Sequence, residues 1–230
     1  MDFRLLFLRV SVTTLLIVAA GLAQQAAPGQ ATSSSSSSSV QHVRKAAPAA
    51  DSRLDAGAVS NGVYRNLTLG FTCRIPAGWV SRTDEMNTRE DERSEKEAGK
   101  TGRVLLAAFS RPPAAHGEDV NASILIAAES ASSYPGLKEA AQYFGPVTEI
   151  AKAQGLEVDG EPYEFEIGAK TTVRGDFQKD IGTRVMRQST LVILARGYAV
   201  SFTFIGGTED EVEELIEGLS FGAETKPHPR

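Results

Sequence analysis

The amino-acid sequence predicts an α+β domain: a central antiparallel β-sheet flanked by helices, preceded by a disordered N-terminal segment. Three observations carry this. Residues 61–222 hold a succession of short apolar or alternating segments with few helical stretches between them, the pattern of sequential strands pairing as neighbours. Thr208 to Leu219 carries a helix-start signal followed by apolar residues at helical spacing. From Gln24 to about Ser60 the chain is mostly Ala, Pro, Gln and Ser, with an unbroken serine run from Ser33 to Ser39. Such a segment cannot bury enough apolar surface to offset its ordering entropy, so it is expected to act as a flexible tether.

Residues 1–23 read as a secretory signal peptide. Arg4 and Arg9 supply a basic start, and Val10 to Leu22 is an apolar run broken only by Ser11, Thr13, Thr14 and Gly21. Gly21-Leu22-Ala23 offers the small–x–small pattern that signal peptidase requires, with the cut before Gln24. A retained anchor needs about 20 predominantly apolar residues, and this core is shorter. A lipid-anchored start needs a cysteine at the cut, and the single cysteine, Cys73, lies far downstream. The expected plan is a signal peptide over 1–23, a disordered Ala/Pro/Ser-rich linker over 24–60, one α+β domain over 61–222 and a flexible tail over 223–230.

Cleavage would remove Asp2, Arg4 and Arg9, a net +1, and take the formal charge from −5 to −6. A chain of that charge has no global attraction for nucleic acid or anionic lipid. A lone cysteine forms no internal disulfide. Cys73 lies in an alternating strand pattern, which predicts burial as a small hydrophobe, with Arg74 pointing to the other face.

Within the domain, Tyr64-Arg65-Asn66 opens a strand and Leu67 to Gly70 turns. Phe71 to Ile75 alternates as a half-buried strand, and Pro76-Ala77-Gly78-Trp79 ends it. Trp79, the only tryptophan, is expected as a core plug beside that turn. Asp84 to Lys100 mixes both charges with almost no apolar residue. Glu85, Glu90, Asp91, Glu92, Glu95 and Glu97 resemble metal ligands in type only, because Arg89, Arg93, Lys96 and Lys100 interleave with them. The segment predicts a solvated loop or exposed helix bridged by i,i+4 pairs. Val104 to Phe109 and Val120 to Ile126 read as neighbouring strands across a loop.

Ser133-Tyr134-Pro135 looks like a helix start, with Leu137, Ala140, Ala141 and Phe144 as its apolar stripe. Gly145-Pro146 should break that helix before a second short one, which Gly155 closes. The last third is strand-rich. Tyr163, Phe165 and Ile167 alternate with Glu164 and Glu166, and strands follow over Thr172 to Gln178 and Arg184 to Ala195. Arg196-Gly197 is a tight-turn candidate, and Tyr198, Val200, Phe202 and Phe204 alternate along the clearest strand of the chain. Thr208-x-x-Glu211 forms a capping box, and Val212, Leu215, Ile216 and Leu219 make a helical stripe for the sheet.

Three groups of residues together resemble a known family: Tyr64-Arg65-Asn66 with Gly70-Phe71 and Ile75-Pro76-Ala77-Gly78-Trp79; Gly175-Asp176-Phe177; and Arg196 to Phe202 before a terminal helix ending Leu219-Ser220-Phe221. This pattern is similar to the PsbP-like fold family, in particular small secreted bacterial domains of mostly unassigned function. The resemblance implies an α/β/α sandwich over residues 61–222. It also implies a mainly non-enzymatic role, binding protein partners or assisting assembly. It transfers no site residue.

No chemistry stands out against that expectation. His42 falls in the linker, His116 in a Pro-rich loop and His228 in the tail, so no core element is predicted to carry a histidine base. Cys73 has no histidine partner in the predicted core. Glu164 and Glu166 invite a glycosidase reading, but as i,i+2 neighbours on a strand they share one solvent face. Gly206-Gly207 before the last helix would suit an anion, but Glu209, Asp210 and Glu211 occupy that end. Asn66-Leu67-Thr68 and Asn121-Ala122-Ser123 match the glycosylation sequon, at a frequency expected by chance. The sequence therefore predicts no catalytic, cofactor-binding or metal-binding residue. It predicts a periplasmic or secreted, non-catalytic bacterial domain that binds a protein or cell-envelope component. The alternative is an extracytoplasmic small-molecule binder or a carboxylate-dependent hydrolase.

Overall fold

The structure, a computed structural model, describes residues 54–94, 102–112 and 119–222. The expected signal peptide, most of the linker, the tail, and His42, His116 and His228 lie outside the described residues. The strands are β1 (Ala58–Ser60), β2 (Val63–Asn66), β3 (Phe71–Arg74), β4 (Val80–Ser81), β5 (Gly102–Phe109), β6 (Ser123–Ser130), β7 (Glu157–Ile167), β8 (Lys170–Ile181), β9 (Arg184–Ala195), β10 (Tyr198–Gly206) and β11 (Leu219–Phe221). The helices are α1 (Thr83–Ser94), α2 (Phe144–Ala153) and α3 (Glu209–Glu217).

A seven-stranded sheet runs β4-β5-β6-β10-β9-β8-β7 and a four-stranded sheet runs β1-β2-β3-β11, with antiparallel pairing in both. The expected central antiparallel sheet with helices on both faces is present. The second, smaller sheet was not expected. It forms because Leu219-Ser220-Phe221 does not continue the last helix but leaves it as β11 and pairs with β3. The hairpin β1–β2 was also missed, although Asn61-Gly62 is the strongest two-residue hairpin signal in the chain. Both residues adopt positive φ, 51° and 71°, as the mirror turn requires. β1 therefore begins inside the stretch read as linker. Arg196 and Gly197, at φ of 50° and 81°, close β9 onto β10 in the same way.

Each face of the large sheet has its own core. On one side α2 lays Phe144 and Ala151 over Phe177, Met186, Val192 and Ile205. On the other side the small sheet brings Phe71 edge-on to Phe202, with ring centroids 4.9 Å apart, and Phe221 edge-on to Phe202 at 5.7 Å. Phe71 and Phe202, both buried, each contribute about 1.5–3 kcal/mol by leaving water. α3 packs against this same face through Val212, Leu215 and Ile216. β10 is covered on both sides, so its small polar residues Ser201 and Thr203 are buried along with Phe202 and Phe204.

Several local expectations change. The helix expected from Ser133 is two short 3-10 turns, Ala131–Ser133 and Ala140–Tyr143, and the true helix α2 runs through Gly145-Pro146. Pro146 lies in its first turn, where backbone N–H groups have no intrahelical acceptor, so proline costs nothing there. Gly155, at φ 76°, ends α2 as expected: its N–H donates to Lys152 O, and Leu156 N–H to Ala151 O, a Schellman arrangement. Trp79 is half-buried rather than a core plug: it closes a turn, Trp79 N–H to Pro76 O at 3.4 Å, whose Ala77 and Gly78 are exposed. Val120 to Ala122 precede β6 instead of opening it.

The charged segment from Asp84 does form a helix over its described part, and α1 has a structural task. Asn87 donates through Nδ2 to Val104 O at 2.9 Å and accepts from Val104 N–H at 3.0 Å, while Ala107 N–H donates to Thr83 Oγ1. These side chains stand in for a strand along the part of β5 that the two-residue β4 leaves unpaired, which covers a sheet edge.

Candidate functional site

The densest polar constellation lies where β7 and β8 pass α3. Alternation along β8 sends Val173, Gly175 and Phe177 toward α2 and Thr172, Arg174 and Asp176 toward α3. Register then fixes the neighbours: Arg174 stands opposite Tyr163, and Asp176 opposite Ser189.

Arg174 is only 6% exposed. Its Nε donates to both oxygens of Asp176, at 2.9 and 3.1 Å, and Nη2 donates to Ser189 Oγ at 3.0 Å. Nη2 also pairs with Glu213 of α3 at 2.6 Å. The guanidinium lies 5.1 Å from the Phe165 ring centroid and 6.0 Å from that of Tyr163, within cation–π range. Burial pulls the Arg174 pKa down, but hydrogen bonds to Glu213 and Asp176 outweigh it and the net shift is upward. Asp176 also accepts from Ser189 Oγ and from Tyr163 Oη, the latter at 3.3 Å. Burial, then the Asp176 charge, raises the Tyr163 pKa.

This arrangement holds one buried cation between two carboxylates and a hydroxyl. The buried Ser189 hydroxyl donates to Asp176 and accepts from Arg174, so it is held within the protein on both counts. What reaches the surface is aromatic: Tyr163 is 45% exposed. Tyr163 and Phe165 meet edge-on at 6.4 Å. Along the rest of β7, Glu157, Asp159, Glu161, Glu164 and Glu166 are all exposed, which discourages strand addition to this open edge.

A second feature lies across the sheet. Beneath α2 is a partly open cavity of about 20 Å³, room for about one water. Its floor is polar, formed by Gln188 and Thr190 of β9 with Ser201 and Thr203 of β10, and its wall is apolar, including Pro146, Val147 and Ile150. Tyr143 closes one side. Burial, then the Glu129 charge, pushes the Tyr143 pKa up, so this wall stays neutral.

The residues singled out by sequence are scattered. Cys73 is fully buried, and burial pushes its thiol up to about 12. Glu164 and Glu166 are solvated, as expected. The Gly207 N–H donates to Glu211 Oε2 at 2.7 Å, so the chain supplies its own anion at the start of α3. The capping box is thereby shifted: Thr208 Oγ1 accepts from Glu211 N–H as expected, but Glu211 reaches back one residue further than the motif predicts. Asn66 is buried, donating to Asp55 O and accepting from Leu69 N–H, and Asn121 is tied to Ser110 and Arg111, so both sequon amides are structural. No motif marks Arg174 in the sequence. Its i,i+2 spacing from Asp176 was a readable signal for a shared face, but Glu213 and Ser189 were not readable from spacing.

No family model matches the chain, and no curated protein matches its sequence. Solved structures do. A Bacteroides thetaiotaomicron structure is similar over 70% of this chain at 13% identity and a TM-score of 0.34, and the chain spans about half, 48%, of that protein's length. The solution structure of cyanobacterial PsbP (CyanoP) from Synechocystis is similar over 72% of this chain and 96% of its own, at 14% identity and a TM-score of 0.42. The Saccharomyces cerevisiae Ran-binding protein Mog1p is similar over 66% of this chain and 90% of its own, at 14% identity and a TM-score of 0.35. The PsbP-like fold implied by the sequence motifs is thus among those this chain is similar to.

Proposed function

We propose that this chain is an exported, non-catalytic domain that binds a protein or cell-envelope component through the face around Tyr163 and Phe165. The observation that carries the reading is the buried Arg174 locked under a half-exposed aromatic pair. Tyr and Arg are the side chains enriched at binding hot spots, where a rigid aromatic loses little conformational entropy on contact. Arg174, held by Asp176, Ser189 and Glu213, fixes the rings in advance, so binding would not have to order them. Export rests on the leader-like residues 1–23.

The test is a photo-crosslinking amino acid placed at position 163 and, as a control, at the exposed Leu67 on the β2–β3 turn, in intact cells. The expected result is a discrete adduct from position 163 and none from position 67. Equal or absent adducts from the two positions would sink the reading.

A further inference from the structure

We infer that the cavity under α2 is a binding site for a small neutral molecule whose hydroxyl or primary amide head both donates and accepts a hydrogen bond. The cavity lies on the opposite side of the sheet from the Tyr163 face. Gln188 is 5% exposed and lines the cavity. Its Nε2 donates to Thr190 Oγ1 at 3.3 Å, and Thr190 Oγ1 lies 3.1 Å from Thr203 Oγ1. Its Oε1 has no hydrogen-bond partner among the described residues. A buried carbonyl left in that condition is costly, so the folded state gains when a ligand supplies the missing bond.

The chemistry of the walls selects the head group. Gln188 as oriented calls for a donor. Turned end for end, it would accept from Thr190 and leave its amide hydrogens unpaired, which calls for an acceptor. A hydroxyl or a primary amide answers both. A charged head is disfavoured because none of the lining residues carries a charge, and a bare ion there would lose its hydration without a counter-charge. The enclosed part of the cavity, with room for about one water, admits the hydroxyl or the tip of the amide and no more. A short apolar stem would lie along Pro146, Val147 and Ile150 toward the open mouth.

The experiment is a titration of the isotope-labelled full-length protein with butyramide, 1-butanol, butyrate and butylammonium, read by amide chemical shifts. The neutral probes should give saturable shifts at Gln188, Thr190, Ser201, Thr203 and Val147. The charged probes should bind at least about tenfold more weakly, and Gln188→Leu should weaken the neutral probes about tenfold, the value of one well-made hydrogen bond. Should Gln188→Leu fail to fold, Ile150→Trp, in the half-buried apolar wall, should block the same shifts. The inference is overturned if neither neutral probe saturates, if all four probes behave alike, or if the substitution that folds leaves the shifts unchanged.

Discussion

Cys73 shows how position governs a side chain's chemistry. It stands in β3 opposite Tyr64 and Leu219, with no exposed surface. Burial raises its pKa from 9.0 to about 12, with Arg74 offsetting this only in part. The unfolded chain therefore releases the thiol proton first as pH rises, and the contribution of Cys73 to stability is full below pH 9 and lost toward pH 12. At pH 10.5 the loss relative to pH 8 should be about 2 kcal/mol greater in the native protein than in Cys73→Ala, measured by urea unfolding. Equal losses would refute the assignment. The comparison with Cys73→Ala is needed because Tyr64, Tyr134 and Tyr143 are also raised by burial and add their own alkaline loss. Burial of Cys73 was legible from its alternating strand. The Arg174 network was legible only as far as Asp176, since Ser189 is 15 residues away and Glu213 lies on α3.

At the scale of elements, α2 and β8 are matched through one missing side chain. A Cβ on Gly175 would sit 2.4 Å from Phe144 Cε1 and 2.8 Å from Cδ1. Phe144 is buried in the first turn of α2 and cannot swing into solvent. Gly175→Ala should therefore destabilise the protein by about 1–3 kcal/mol through overpacking. Combining it with Phe144→Leu should cost clearly less than the two single changes added together, because the second relieves the clash made by the first. Strict additivity in urea unfolding would show that the ring does not hold α2 in place. Strand elements were largely readable here because their periodicity is local. The second helix forms but begins earlier than expected, at Phe144, because Pro146 reads as a breaker unless it lies in a first turn, and that depends on where the preceding 3-10 turn hands over to α2.

At the scale of the whole molecule, the domain presents two unlike faces on one sheet: an aromatic, Arg-braced face beside α3 and a polar-floored cavity beneath α2. If the first 23 residues address the chain for export, mass spectrometry of the protein from its native host should find an N-terminus at Gln24, with Met1 to Ala23 absent. Recovery of the chain beginning at Met1 would remove export from the proposed function. By itself the sequence determined the α+β class, most strands, the turn at Arg196-Gly197, the start of α3 with its apolar Val212, Leu215 and Ile216, and the burial of Cys73. Each of these is set by spacing within a few residues: a period of two, a period near four, or the φ preference of one glycine. Only the tertiary structure decided that β11 completes a second sheet, that Thr83 and Asn87 seal the edge of β5, that Arg174 meets Ser189 and Glu213, and that Gln188 faces a cavity. Those facts depend on register between strands and on helices packed across long separations in the chain, where the deciding energy is the satisfaction of buried polar groups by distant partners.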